Sequence, residues 1–403
     1  MYIEREIQRV VASYLKQFKA LLVTGARQVG KTTMLQHTLS ADFTYITLDD
    51  LEILSSIKSD SALFFIENDL PLAIDEIQYA PELFMRIKHV IDQSSKKGVI
   101  ALTGSQSYQL MQGVSESLAG RVGILEMSSL SLREILGHLK YSPYIPHLVQ
   151  NKNNGAPQDF DLWTHIQRGS MPELIDPSID PYAYYSSYVR TYIERDVRDV
   201  IKVRDERKFY DFMVSCAART GQLLNLSDIS RTIGVDVATV QGWVSVLQAS
   251  GIVHILRPFW TNTNKRLSKT PKLYFMDTGL ACHLTAWNSA ETLKRGAMAG
   301  HMFETFVVSE VLKSFLNAGR DPRDLSFYRD SQKREIDLLI RDADVLHPVE
   351  IKMNASVDAD AIKNFHVLDG LSDFKVGFGS VICQTEKPYL ITEDVQAIPV
   401  WAI

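Results

Sequence analysis

Gly25-Ala26-Arg27-Gln28-Val29-Gly30-Lys31-Thr32-Thr33 follows the apolar run Leu21-Leu22-Val23 and opens a helix-like stretch. Its first eight residues match G-x-x-x-x-G-K-[ST], a phosphate-binding loop between a strand and a helix. The glycines leave room for backbone N–H groups to curl around a β-phosphate, and the helix N-terminus adds its dipole. On this reading Gly25, Ala26, Arg27, Gln28, Val29, Gly30 and Thr33 line ATP, Lys31 reaches the β/γ oxygens, and Thr32 ligates Mg2+. The bland alternative, a glycine turn with no ligand, is disfavoured by the strand and helix on either side.

Working outward, Tyr45–Leu48, Leu72–Ile74, Val99–Leu102 and Val122–Leu125 are short β-favouring runs separated by longer helical stretches. That alternation predicts a parallel α/β sheet. Residues 3–17 place apolar side chains at helical spacing and predict an opening helix. Leu70-Pro71-Leu72-Ala73-Ile74-Asp75-Glu76 is an apolar strand ending in two carboxylates, 44 residues after Lys31. Asp75 is placed to hold Mg2+ through water, and Glu76 to polarise the attacking water as general base. Ser105 or Gln106, after the next strand, is either a polar sensor of the γ-phosphate or part of a plain turn. Arg121 is a candidate arginine finger, against the commoner solvated or ion-paired arginine.

Together with Asp75-Glu76-Ile77-Gln78, Leu102-Thr103-Gly104-Ser105 and Ser117-Leu118-Ala119-Gly120-Arg121, the loop resembles prokaryotic AAA-type ATP-binding proteins that carry a C-terminal domain of unknown function. The resemblance continues through Tyr192-Ile193-Glu194-Arg195-Asp196-Val197, Lys272–Leu280 and Glu335-Ile336-Asp337, and so covers nearly the whole chain. It implies ATP binding but supplies no cellular role. Ala26 stands where that family often has proline.

Composition sets the outer bounds. The 403 residues exceed one ordinary core, and 45% hydrophobic with 23% charged residues is a soluble, globular composition. With 43 basic against 48 acidic residues, net −5, no global field draws the chain to nucleic acid, so DNA contact needs a local patch. Three scattered cysteines fit a reducing cytoplasm rather than a disulfide framework. The charged start lacks a secretory pattern, and no apolar run is long enough to predict a membrane span.

The expected architecture is α/β: a P-loop parallel-sheet ATPase domain at 1–137, a linker and helical segment at 138–205, a winged helix-turn-helix at 206–280, and a small α/β restriction-endonuclease-like domain at 281–403. In the third part, Leu226–Val235 and Asp236–Leu247 read as two helices around a glycine turn, with Thr239 and Gln241 pointing outward. Ile252–Leu256 and Lys272–Phe275 would form a wing whose loop holds Lys265, Arg266 and Lys269. The second helix has no Arg or Lys before Leu247, so protein docking competes evenly with DNA contact. In the last part, Glu304 on a helix, Asp337, and Glu350-Ile351-Lys352 after twelve further residues resemble the PD-(D/E)XK nuclease superfamily. There Glu304, Asp337 and Glu350 would hold a divalent cation, and Lys352 would orient or deprotonate water. Ile336 replaces the motif's proline, and the fold often survives without its reaction.

Two functions follow. One is an ATPase that drives or gates a DNA-associated, nuclease-type activity. The other is a nucleotide switch whose C-terminal parts bind a protein partner, with an inactive nuclease fold. ATP and Mg2+ are the expected cofactors, and a homo-oligomer is compatible with either function. A metabolic kinase would leave the later parts without a role.

Overall fold

A computed structural model describes residues 2–105, 110, 113–114, 117–149, 160–192, 206–259 and 270–403. Strands β1 (Ala20–Gly25), β2 (Thr44–Thr47), β3 (Leu72–Asp75), β4 (Ile100–Ser105) and β5 (Val122–Glu126) form one sheet in the order β2-β3-β4-β1-β5. Every neighbouring pair in it is parallel. Because β4 inserts between β1 and β3, the loop after β1 and the acids after β3 lie on either side of Ser105, at one sheet edge.

The strands alternate in what they bury. Leu21 and Val23 face a core shared with Val11 of helix α1 (Gln8–Gln17) and Met34 and Leu35 of α2 (Lys31–Thr38). Ala20, Leu22, Ile74 and Leu102 face a second core with α3 (Leu51–Ser59), α4 (Ser61–Glu67) and α5 (Leu83–Gln93), which contribute Ile57, Phe64, Phe84, Ile87 and Ile91. Each such side chain contributes roughly 1.5–3 kcal/mol when fully buried, so both faces hold the sheet edge in place. The opening helix starts at Gln8 instead of residue 3. Arg5 and Glu6 are buried and spend their side chains on distant polar groups.

Helix α6 (Leu132–Ile135) begins with a capping box between Ser131 and Glu134. After α7 (Leu162–Arg168) and α8 (Pro181–Tyr192) comes α9 (Glu206–Ala217). Next are β6 (Gln222–Leu223), α10 (Leu226–Ile233), α11 (Val237–Ala249), β7 (Val253–Leu256) and β8 (Lys272–Phe275). Gly234 takes φ 72° between α10 and α11, and the three strands pair antiparallel as β6-β8-β7. Trp243 packs against Phe209 and Phe212, fixing the two helices on α9. Gln106, the wing residues Lys265, Arg266 and Lys269, and the segment 193–205 within the resemblance lie outside the described residues.

Helices α12 (Thr278–Leu284), α13 (Ala290–Arg295) and α14 (Ala299–Asn317) lead into β9 (Leu325–Arg329), β10 (Glu335–Asp342), β11 (Val345–Ile351), β12 (Lys375–Val376), β13 (Gly379–Cys383), β14 (Tyr389–Thr392) and β15 (Val395–Pro399). Their sheet runs β14-β15-β13-β11-β10-β9, with β12 beside β11. From Thr305 to Asn317 every residue of α14 is buried, the mark of a core helix. Its charged pair Glu310–Lys313 bonds to the N-terminal unit: Glu310 accepts from Leu132 N at 2.6 Å, and Lys313 donates to Leu130 O at 3.0 Å. One apolar core therefore continues from the face of the first sheet, past α11 and α14, to Ile403. No helix among the described residues is long and apolar enough to cross a membrane.

Candidate nucleotide site and a second carboxylate cluster

Gly25 adopts φ 146° and Gly30 φ 90°, and a Cβ on Gly25 would overlap the Met127 carbonyl. These two positions need glycine for a steric reason. The Lys31 ammonium is buried and donates to the carbonyls of Gly25 at 3.1 Å and Ala26 at 2.8 Å. Thr32 Oγ1 donates to Asp75 Oδ1 and Oδ2 at 2.9 and 3.0 Å, so the two residues assigned to Mg2+ are already neighbours. Thr103 Oγ1 also donates to Asp75. Burial, then the Asp75 carboxylate beside it, pushes the Tyr45 phenol far above its ordinary pKa.

Glu76 sits in the left-handed region at φ 57°, which turns its carboxylate along the sheet edge. Its Oε2 accepts from Gln78 Nε2 and, at 3.5 Å, from the Ser105 hydroxyl. Gln78 Nε2 also lies 3.2 Å from Ser105 Oγ. Glu76, Ser105 and Gln78 thus form one polar group, of which the sequence assigned roles to only two. Arg27, Gln28 and Thr33 are at least partly exposed on the loop and α2, whereas Ala26 and Val29 are buried.

Arg121 lies elsewhere. Ala20 pairs with Val122, so Arg121 stands at the far edge of the sheet, about 20 Å from Gly25 at ~3.3 Å per residue. Its guanidinium is exposed and paired with Asp92 at 2.7 Å. Within one chain it does not reach the nucleotide edge.

Arg5 gave no sequence signal, because a charged residue near an opening helix ordinarily faces solvent. It is buried behind the loop, donating to Val29 O and Ser128 O at 2.8 Å each and pairing with Glu134 at 3.0 Å. Tyr184 OH donates to Gln28 Oε1 at 2.8 Å from the next segment.

Thr239 was expected to face outward from α11. It is partly exposed there, and Asp236, which caps the helix, accepts from Thr239 N at 2.7 Å and from Thr239 Oγ1 at 2.8 Å at the surface. Gln241, Ser245 and Gln248 are the exposed polar side chains along the helix, all uncharged.

In the C-terminal sheet Leu338 pairs with Val349, and one further step of that register sets Asp337 opposite Glu350. Lys352 Nζ lies 2.6 Å from Glu350 Oε1 and 4.0 Å from Asp337 Oδ2, bridging both carboxylates. Asp337 Oδ2 also accepts from Ile351 N at 2.9 Å, while Glu350 Oε2 is buried without a hydrogen-bond partner. Glu304 adjoins them, its Oε1 held by Lys272 Nζ at 3.0 Å and Tyr274 OH at 2.6 Å. Among the described residues no three His, Cys, Asp or Glu side chains are grouped as a ready metal cage. The three carboxylates expected to share a cation are adjacent rather than convergent.

Burial, then the charge of Glu304, raises the Asp337 carboxyl to about 6; burial, then Asp337, raises Glu350 to about 8. Both folded values lie above the unfolded ones, so their contribution to stability is full below pH ~4 and is lost as pH rises through that range. Asp337→Asn is expected to flatten the loss of stability between pH ~4 and ~8. Urea midpoints across that range check this, and an unchanged slope would contradict it.

Residues 17–136 match an AAA domain family, residues 159–291 a domain of unknown function (DUF8612), and residues 299–403 another domain of unknown function (DUF4143). The chain is 26% identical over 391 residues to the uncharacterized proteins Rv2008c of Mycobacterium tuberculosis and Mb2031c of Mycobacterium bovis. Each alignment covers 96% of this chain and 81% of the relative. Among solved structures, the Walker-type ATPase paby2304 of Pyrococcus abyssi aligns at TM-score 0.43 and 15% identity, over 69% of this chain and 94% of its own. Protein VC1899 from Vibrio cholerae aligns at TM-score 0.19 and 13% identity, over 95% and 94%. The matched sequence and the loop geometry agree: the N-terminal unit matches an AAA domain family and carries a glycine loop between β1 and α2 with the geometry of a phosphate-binding loop, and the segments after it match domains of unknown function.

Proposed function

We propose that the chain binds and hydrolyses ATP at the edge where β1, β3 and β4 end, and that turnover gates an activity of its C-terminal parts. The observation that carries this is the Thr32–Asp75 contact with Glu76 fixed beside it. A hydroxyl and a carboxylate are the hard oxygen donors that suit Mg2+. When bound, Mg2+ neutralises charge on the β and γ oxygens. Lys31 leaves its two carbonyls for the phosphates, and Glu76 accepts the proton of the attacking water. Ser105 and Gln78 hold the Glu76 carboxylate in place. Arg121 reaches a nucleotide only across an interface with a second copy of the chain. Phosphate release by the full chain tests the reading, and none at saturating Mg2+ and ATP would end it.

A second reading, metal-dependent cleavage of DNA, is favoured by the unpartnered Glu350 Oε2. A buried oxygen without a donor suits a cation, and carboxylates are donors for Mg2+ or Mn2+. There Asp337 and Glu350 would hold the ion, and Lys352 would orient water. Plasmid DNA with Mn2+ is expected to be nicked by the parent and left intact by Lys352→Ala. Absence of nicking with ATP, with ADP and without nucleotide would favour a switch that binds a protein partner. The uncharged exposed side chains of α11 fit that outcome.

A further inference from the structure

We infer that Lys272 is an internal counter-cation that holds Glu304 out of a divalent-metal cage, so that the position of β8 decides whether the cluster takes a metal ion. The inference rests on the second reading above. Lys272 belongs to the helix-turn-helix segment, yet its side chain reaches into the C-terminal unit and is only 5% exposed. Its ammonium contacts Glu304 Oε1 at 3.0 Å and Glu335 Oε1 at 2.7 Å. Tyr274, two residues along and on the same strand face, donates to the same Glu304 oxygen at 2.6 Å. One Glu304 oxygen therefore takes two donors from β8, while across the cluster Glu350 Oε2 has none.

Charge explains the arrangement. Glu304, Glu335, Asp337 and Glu350 lie close together and are compensated by Lys272, Lys352 and Arg329, the last bound to Glu335. A divalent ion held by Glu304, Asp337 and Glu350 would stand near the Lys272 ammonium, and like charges at that range repel strongly in a buried site. Two cations therefore compete for Glu304. Lys272 holds it here, which accounts for three adjacent carboxylates that form no cage. The strand carrying Lys272 is fixed by pairing with Leu223 of β6 and Leu256 of β7, so the ammonium follows the helix-turn-helix segment wherever that segment sits.

The test uses the full chain carrying Asp75→Ala and no nucleotide, so that the C-terminal site dominates the signal. Free Mn2+ is followed by electron paramagnetic resonance during titration. Lys272→Met is expected to bind Mn2+ about tenfold or more tightly than the Lys272 chain, because one opposing charge is gone. Adding Asp337→Ala should remove the gain, and Lys272→Arg should keep the weak binding of the Lys272 chain. If Lys272→Met loses its circular dichroism signal, Lys272→Gln serves in its place. Equal, tight binding with and without Lys272 would overturn the role given to Lys272 while leaving the metal site standing. No Mn2+ bound by a folded Lys272→Met chain would overturn both that role and the second reading. ATP hydrolysis by the chain with Asp75 intact reads the P-loop separately from either result.

Discussion

Lys31→Ala is expected to lower ATP affinity about 100-fold, the scale of losing two charge-assisted contacts to phosphate oxygens. The side chain is buried and its ammonium now rests on the carbonyls of Gly25 and Ala26, so the loop is built around a cation. Removing it leaves those carbonyls and the bound phosphates facing one another without a positive charge between them. Fluorescent ATP-analogue titration of the parent and the variant checks this. Circular dichroism separates lost binding from lost fold, and parent-like affinity in a folded variant would remove the P-loop from the mechanism.

Glu76→Gln is expected to bind ATP like the parent and to release phosphate about 100- to 10,000-fold more slowly, the usual range for loss of a general base. Glutamine keeps the size of the side chain and retains an oxygen to accept from Gln78 Nε2 and Ser105 Oγ. It cannot take a proton from water. Asp75 keeps its contacts with Thr32 and Thr103. The comparison is steady-state phosphate release at saturating ATP together with equilibrium binding. An unchanged rate would move the base elsewhere on the edge, where Ser105 and Gln78 lie within hydrogen-bonding range.

The path of the glycine loop between β1 and α2 was legible because its demands are local. Two glycines at fixed spacing, a lysine and a threonine follow from the backbone path around a phosphate, whatever the rest of the chain does. The parallel sheet was legible from alternation, but the insertion of β4 between β1 and β3 was not, because strand order depends on pairing between distant segments. Arg5 was invisible for the same reason: its partners Val29, Ser128 and Glu134 are 24 to 129 residues away. The adjacency of Asp337, Glu350 and Lys352 followed from hairpin register. Lys272 did not, since a lysine starting a strand ordinarily points to water.

Helix α14 gives these contacts a further meaning. Glu304, near its first turn, belongs to the carboxylate cluster, and Glu310, Lys313 and Asn317 at its other end are sewn into the Leu130–Glu134 segment behind the nucleotide loop. Nineteen residues of helix form a strut roughly 28 Å long. A chain severed before residue 299 would lose that strut and expose the apolar wall it covers, along with the amide and carbonyl that Glu310 and Lys313 now satisfy. The fragments are expected to aggregate when expressed apart and to regain solubility when expressed together. The segments that read as separate modules along the sequence are, in the folded chain, parts of one machine with a common axle.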